Sequence, residues 1–312
     1  MMPKVFIDGA VGTTGLEIAE RMAGRSDFRV ISLSEADRKN VAARAAIIRD
    51  SDFVILCLPD DAAREAVALG EGAPTRFIDC STAHRVADGW VYGFAEFSAG
   101  QRDAIRTAAR VSNPGCYSTG FIALVAPLVE QGLLPSDHGF IVNAVSGYSG
   151  GGKDLIARMQ NDAPEIGYRA YALGLEHKHL PEMQVRCGLS RSPLFAPAVV
   201  RAFRGMLVDV PLFLDPELGF ADARTLHEAL ADHYADEPLV SVAPAGTAPA
   251  ELLVSEGDAA SDCLKLYVLP SADGSQVRLI AMLDNLGKGA SGAAVQNLNI
   301  MAGLDELAGL RI

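Results

Sequence analysis

The sequence predicts an α/β fold, a doubly wound Rossmann-type domain interrupted by an inserted α+β domain. Three observations carry this reading. Strand-like and helix-like segments alternate through the N-terminal third, as a parallel sheet with crossover helices requires. The first strand runs directly into a glycine loop that opens onto a helical pattern. Past residue 200 the pattern changes to long apolar or alternating strands joined by Asp-Gly and Gly-rich turns, the mark of an antiparallel sheet.

The 312 residues, 49% of them hydrophobic, suffice for two domains with substantial cores. Lys4-Val5-Phe6-Ile7-Asp8 reads as a buried strand, and Leu16, Ile18, Ala19 and Met22 give the helical spacing that follows. Between them lie Gly9, Gly12 and Gly15. Position 11 is valine, so the spacing departs from G-x-G-x-x-G, yet the physics is unchanged. Gly9 can make the tight turn, Gly12 can let the backbone approach a pyrophosphate, and Gly15 can allow close helix–strand packing. Thr13 and Thr14, between the last two glycines, are counted with them as cofactor-binding residues.

A second strand is expected over 29–33, a helix over 36–48, a third strand over 53–58, a helix over 62–69 and a fourth strand over 76–79. After the second strand, Ser34, Arg38 and Lys39 suit a 2′-phosphate, whereas Glu35 would suit a free 2′-hydroxyl; solvated charges on a helix are the competing explanation. After the fourth, Arg85 can clamp a phosphate or carboxylate with its planar fork, and His84 is read as a structural hydrogen-bonding group.

The stretch Ser112-Asn113-Pro114-Gly115-Cys116-Tyr117-Ser118-Thr119-Gly120 is the chemical centre of the chain. An apolar run begins directly after it, which puts Cys116 where an irregular turn passes into the first turn of a helix. Unpaired backbone N–H groups and the helix dipole favour a thiolate there. The alternative is a buried thiol acting as a small hydrophobe. Further on, the loop 146–153 contains Gly147 and Ser149 among glycines and serines that let backbone N–H groups come close to a ligand. His177 and His179 lack a third ligand at metal spacing, so proton transfer beside a thiolate suits them better than a metal. Pro181 fits the first turn of a helix starting near His179, leaving His177 in the loop before it. Asn285, Gly287 and Lys288 precede small residues that open a final helix to about residue 307, which should return to the nucleotide-type domain.

Composition limits the alternatives. A net charge of −12, from 39 acidic and 27 basic residues, argues against a nucleic-acid surface. No apolar run reaches the ~18 residues of a membrane span, and no secretory leader pattern precedes the first strand, so the reading is cytoplasmic. The 5 cysteines show neither disulfide-framework nor zinc-type spacing, and no metal is expected.

Taken together, GAVGTTGLE at 9–17, CSTAHR at 80–85, SNPGCYSTG at 112–120, VSGYSGGGK at 145–153, HKHLPEM at 177–183 and DNLGKGASGAAVQN at 284–297 resemble the N-acetyl-gamma-glutamyl-phosphate reductase family, in its shorter form, essentially end to end. The resemblance implies NADPH-dependent reductive dephosphorylation of an acyl phosphate in arginine biosynthesis, and kinship with aspartate-semialdehyde dehydrogenase. It implies an NADP-binding Rossmann domain over 1–115 plus 286–312 and a catalytic and dimerisation α+β domain over 116–285. Carried over by residue, the nucleophile falls on Cys116, the oxyanion contact on Asn113, and the acid/base on His177, with His179 as the alternative. Arg85 and Ser149 fall to the substrate; Gly147, Asn285, Gly287 and Lys288 join the cofactor set. A homodimer or homotetramer without nucleic-acid or membrane partners is implied as well. The sequence departs from the family pattern at Glu176, where a small residue often stands, and at Ser118, where proline is common. A sister acyl-phosphate reductase acting on aspartyl phosphate, and a non-catalytic dinucleotide sensor, are the alternative functions.

Overall fold

The structure, a computed structural model, describes residues 2–162 and 165–312. The chain separates into two compact units. Met1–Ala95, Gly100–Pro114 and Ala290–Leu310 form the first, and Glu96–Ala99, Gly115–Gly289 and Arg311–Ile312 the second. In chain order the elements are β1 (Lys4–Asp8), α1 (Thr13–Met22), β2 (Arg29–Ile31), α2 (Val41–Asp50), β3 (Phe53–Leu56), α3 (Asp60–Leu69), β4 (Arg76–Asp79), β5 (Val91–Tyr92), α4 (Gln101–Thr107) and β6 (Arg110–Ser112). They continue with α5 (Cys116–Glu130), β7 (Ile141–Gly147), α6 (Gly152–Ala157), β8 (Tyr168–Ala170), α7 (Leu180–Arg186), β9 (Leu194–Val200), β10 (Met206–Phe213), α8 (Ala223–His233), β11 (Val240–Val242), β12 (Leu264–Pro270), β13 (Gln276–Leu283) and α9 (Gly292–Ala302).

The first unit is built on a parallel sheet of order β2-β1-β3-β4-β6-β5. Its strands read as unbroken apolar runs because both faces are covered. On one face Val5 and Ile7 meet Ile18 and Met22 of α1 and Leu298 and Met301 of α9. On the other, Phe6 meets Ile48 of α2 and Ala63 and Ala66 of α3. β1 pairs with β2 on one side and β3 on the other, which makes its carboxyl end a topological switch point, where ligands of such sheets bind.

The expected helix over 36–48 starts later, at Val41. The Ser34 hydroxyl donates to the Asp37 carboxylate at 2.6 Å, a local bond that competes with helix, and the Asn40 side chain caps α2 by accepting the Ala43 N–H at 3.1 Å. The second and third strands are also shorter than expected, closing at Ile31 and Leu56. The last helix stops at Ala302 rather than near 307, because Gly303 takes a left-handed φ of 69° and ends it.

The second unit holds a 7-stranded sheet of order β11-β12-β13-β10-β7-β9-β8. Its centre is antiparallel, as the alternating strands indicated, but β7–β9 and β11–β12 pair in parallel, so the sheet is mixed. Helix α5 lies against β10 and β13. Gly120 permits that approach, since a Cβ there would stand 2.8 Å from Val208 Cγ2 and 3.3 Å from Ala281 Cβ. Being enclosed on nearly every side, α5 is apolar nearly all round. On the opposite sheet face Ile141, Leu194 and Phe213 are exposed. Among the described residues no helix is long and apolar enough to cross a membrane.

Candidate active site

Cys116 is the first residue of α5, a half-buried thiol outside any disulfide. The helix begins there because Pro114 and Gly115 precede an unbroken apolar run, and Gly115, in extended conformation, is the N-cap. Glycine has no side chain to cap with, and a carboxylate from α7 engages the turn instead. The buried Glu182 carboxylate accepts the Gly115 N–H through Oε1 at 2.9 Å and the Ser118 hydroxyl through Oε2 at 2.8 Å. Gly289 backs the thiol: a Cβ at that position would stand 2.8 Å from Cys116 Cβ.

Both histidines sit where Pro181 indicated. His179 is the N-cap of α7 and His177 lies in the loop before it. The His179 backbone N–H donates to His177 Nδ1 at 3.1 Å, so a neutral His177 carries its proton on Nε2. The two rings meet edge to face with centroids 4.7 Å apart, and Phe195 packs 5.0 Å and Tyr171 5.7 Å from the His177 ring. Tyr117 closes the group at 6.1 Å from His177 and 6.0 Å from His179. Upstream, Ala172 and Leu175 hold φ of 52° and 59°, a conformation side chains rarely adopt, bridged by the Leu175 N–H donating to Ala172 O.

Burial pushes the Tyr171 hydroxyl up to about 12 and the Tyr117 hydroxyl well above its usual range, and negative charge on Cys116 adds to both. The two phenols therefore stay neutral beside the thiol. Burial, then the charge of Glu182, push the Cys187 thiol up; a hydrogen bond to Cys57, then burial, do the same to Cys80. Protonated thiols of that kind are poor nucleophiles.

The glycine loop read from the sequence as a dinucleotide site lies in the first unit. Gly9 has φ 89°, and a Cβ on it would fall 2.3 Å from Cys57 O; one on Gly15 would fall 2.4 Å from Gly9 O. These two glycines are demanded by the protein's own packing. Gly12 is different, since a Cβ there meets nothing nearer than 3.4 Å. The N-terminus of α1, at Thr13 and Thr14, has no side-chain cap. An open glycine and an uncapped helix start fit a pyrophosphate. In the turn after neighbouring β2, Arg38 donates to Glu35 at 2.6 Å, while Lys39 is exposed. Glu35 therefore partners Arg38.

Other expected site residues have more local duties. The Lys288 ammonium, assigned to the cofactor, bonds to the buried Glu96 carboxylate at 2.7 Å. Arg85, assigned to the substrate, is buried and donates to the backbone carbonyls of Asn113 and Cys80. Asn113 is held in the first unit, donating to Ala290 O at 2.9 Å and accepting from Asn297 at 3.1 Å. Gly147 and Gly287 are required by packing, with Cβ positions 2.7 Å from Phe203 O and 1.8 Å from Ser261 O. Buried Ser149 accepts from Asn285 Nδ2 at 3.0 Å, and Asn285 Oδ1 is buried without a hydrogen-bond partner, an acceptor open to a ligand amide. His84 bonds to Asp79 at 2.6 Å and stacks on Trp90, the structural part read for it.

Glu182, Gly289, Tyr171 and Glu96 were not singled out from sequence. Glu96 left a signal, being a lone acid in the apolar run 90–97 that must find a cation once buried. Glu182 left none, because its place in the first turn of α7 marks it as a cap of its own helix rather than of α5.

Residues 116–285, which carry the thiol and both histidines, match the family described as semialdehyde dehydrogenase, dimerisation domain. The fold agrees over nearly the whole chain. Aspartate semialdehyde dehydrogenase II from Vibrio cholerae, complexed with ASA, superposes with a TM-score of 0.69 at 15% identity, covering 97% of this chain and 99% of that one. Aspartate semialdehyde dehydrogenase with NADP from Candida albicans gives 0.63 at 13% identity, covering 96% and 98%. The class is therefore that of the semialdehyde dehydrogenases. Sequence is more specific than fold within it: N-acetyl-gamma-glutamyl-phosphate reductases from Brucella ovis and Brucella canis are 53% identical over 310 residues, 97% of this chain and 100% of each relative. The chain belongs to the N-acetyl-gamma-glutamyl-phosphate reductase family.

Proposed function

We propose that this chain reduces N-acetyl-L-glutamyl 5-phosphate to N-acetyl-L-glutamate 5-semialdehyde and inorganic phosphate, with NADPH as reductant and a thioester on Cys116 as intermediate. The observation that carries it is the half-buried thiol on the first turn of α5, bound through Glu182 to the helix that starts at His179.

The backbone N–H groups and dipole at the start of α5 favour the thiolate, which attacks the acyl carbonyl carbon. The oxyanion so formed is stabilised by backbone N–H of the same turn, and its collapse expels phosphate and leaves the thioester. When bound, the reduced nicotinamide supplies a hydride to the thioester carbon. His177, with Nδ1 already occupied by the His179 N–H, offers Nε2–H to the resulting oxyanion. Collapse of that oxyanion releases the aldehyde and returns the thiolate. The apolar ring wall of Phe195 and Tyr117 lowers the local water content, which protects the thioester from hydrolysis.

Gly9, Gly12, Gly15, Thr13 and Thr14 hold the pyrophosphate, and Ser34, Arg38 and Lys39 select NADP through its 2′-phosphate. Asn285 Oδ1 is suited to the carboxamide of the nicotinamide. Ser149 borders the substrate. The enzyme works in the cytoplasm as a homodimer or homotetramer, for which the sheet face bearing Ile141, Leu194 and Phe213 is the contact. The direct test is Cys116→Ser, which should bind NADPH normally and lose nearly all turnover; near-normal turnover would refute the thioester.

A further inference from the structure

We propose that Glu182, with Ser118 as its hydroxyl partner, is the positioning residue of the nucleophile: it fixes the first turn of α5 to α7 and sets the pH at which Cys116 ionises. The proposal deepens the thioester reading and rests on it.

The geometry is that of a capping box completed by a foreign helix. In the ordinary box, the residue at N3 reaches back to the N-cap N–H of its own helix. Here N3 of α5 is Ser118, which is too short for that and donates to Glu182 instead, while Glu182 accepts the N-cap N–H of Gly115. Both bonds are shorter than 3.0 Å and both oxygens of the carboxylate are engaged. Cys116 lies between the two bonded residues, so its backbone is held from both sides. On the α7 side, the same carboxylate stands three residues after His179, the N-cap, and the His179 N–H holds the ring of His177. Thiol and histidines are thereby referenced to one side chain. The Ser118 hydroxyl is essential to this arrangement, because a residue without one has no second bond to give the carboxylate.

The charge matters as well as the bonds. A carboxylate opposes ionisation of a nearby thiol, while the N-terminus of α5 promotes it, so the two set the balance together. The same carboxylate adds to the burial that raises the Cys187 thiol at the end of α7. Other groups around the α5 turn vary less. Tyr117, Tyr171 and, on α8, Tyr234 are neutral because burial drives their hydroxyls up, and the Lys288 ammonium is neutralised by Glu96. β10 and β13 present Val208 and Ala281 to α5. Behind Gly289, Asp284 is paired with Arg204 at 2.9 Å. Glu182 and the histidines are the further charged or titratable groups around the thiol.

The test is the pH dependence of Cys116 alkylation by iodoacetamide, followed at that cysteine by peptide mass spectrometry, in the wild-type chain, Glu182→Gln and Ser118→Ala. Glutamine keeps an acceptor for the Gly115 N–H and can donate to Ser118, so the fold should stand, as a thermal melt would verify. The alkylation midpoint should fall by roughly one pH unit in Glu182→Gln, since the opposing charge is gone. In Ser118→Ala the charge stays, so the midpoint should move much less, while kcat should fall several-fold through looser positioning. A midpoint unmoved in Glu182→Gln, with or without lost turnover, would overturn the proposal. Failure of the thioester reading is distinguishable, because it would appear as turnover in Cys116→Ser whatever the alkylation profiles show.

Discussion

Lys288 Nζ lies 2.7 Å from Glu96 Oε1, with the two side chains 1% and 0% exposed. A charge taken fully out of water is tolerated only beside its opposite, and removing one partner leaves the other stranded. Lys288→Met should therefore destabilise the chain by about 3–5 kcal/mol, whereas the double change with Glu96→Leu should recover most of the loss. Urea denaturation of the three proteins would measure this; equal stability of the single variant and wild type would show that the pair has no structural weight.

The glycine loop yields a separable pair of predictions. Gly9→Ala should destabilise the protein, because the new Cβ at φ 89° runs into Cys57 O. Gly12→Val should melt near the wild-type temperature yet raise the KM for NADPH by roughly tenfold or more, since the space it fills belongs to the ligand rather than to the protein. Melting curves and cofactor titrations on both variants check it, and an unchanged cofactor KM in Gly12→Val would count against the pyrophosphate site.

Arg38 forms an exposed ion pair with Glu35, the kind that contributes only about 0–1 kcal/mol to stability. Arg38→Ala should leave the melting temperature nearly unchanged while weakening NADPH relative to NADH by about tenfold, the loss of a charge-assisted phosphate contact. Equal weakening of both cofactors would remove Arg38 from 2′-phosphate recognition.

His177→Asn should retain an acceptor for the His179 N–H, so the loop should keep its shape while the Nε2–H is lost. The expected result is a fall in kcat of roughly 10²-fold with a flattened pH profile. Tyr171→Phe provides the contrast. Its hydroxyl, pushed up to about 12, is protonated on both sides of neutrality, so its removal should not move the alkaline limb between pH 7 and 9. If His179→Asn rather than His177→Asn controlled kcat, the two histidines would exchange roles.

Much of this molecule was legible because its signals are local. The alternation of apolar strands and helices, the glycines at 9, 12 and 15, and Pro181 at the start of α7 each report a backbone event within a few residues. The placement of Cys116 at a helix start was legible for the same reason. What could not be read was set by side chains meeting across the fold. Ser34 and Asp37 delayed α2 by a bond that competes with helix, and Gly303 ended α9 early. Glu182 serves α5 from α7, some 67 residues away in sequence, and Lys288 found Glu96 across 192. Lys288, expected among the cofactor residues, has a buried carboxylate partner that no local pattern announced.

The central claim is the reaction itself, and it is tested most directly in the reverse direction. The purified chain is mixed with NADP, inorganic phosphate and N-acetyl-L-glutamate 5-semialdehyde, and NADPH formation is followed by absorbance. The account predicts NADPH formation that requires phosphate and is abolished in Cys116→Ser. Activity with aspartate semialdehyde equal to or greater than that with the acetylated five-carbon aldehyde would contradict it, as would NADPH formation independent of phosphate.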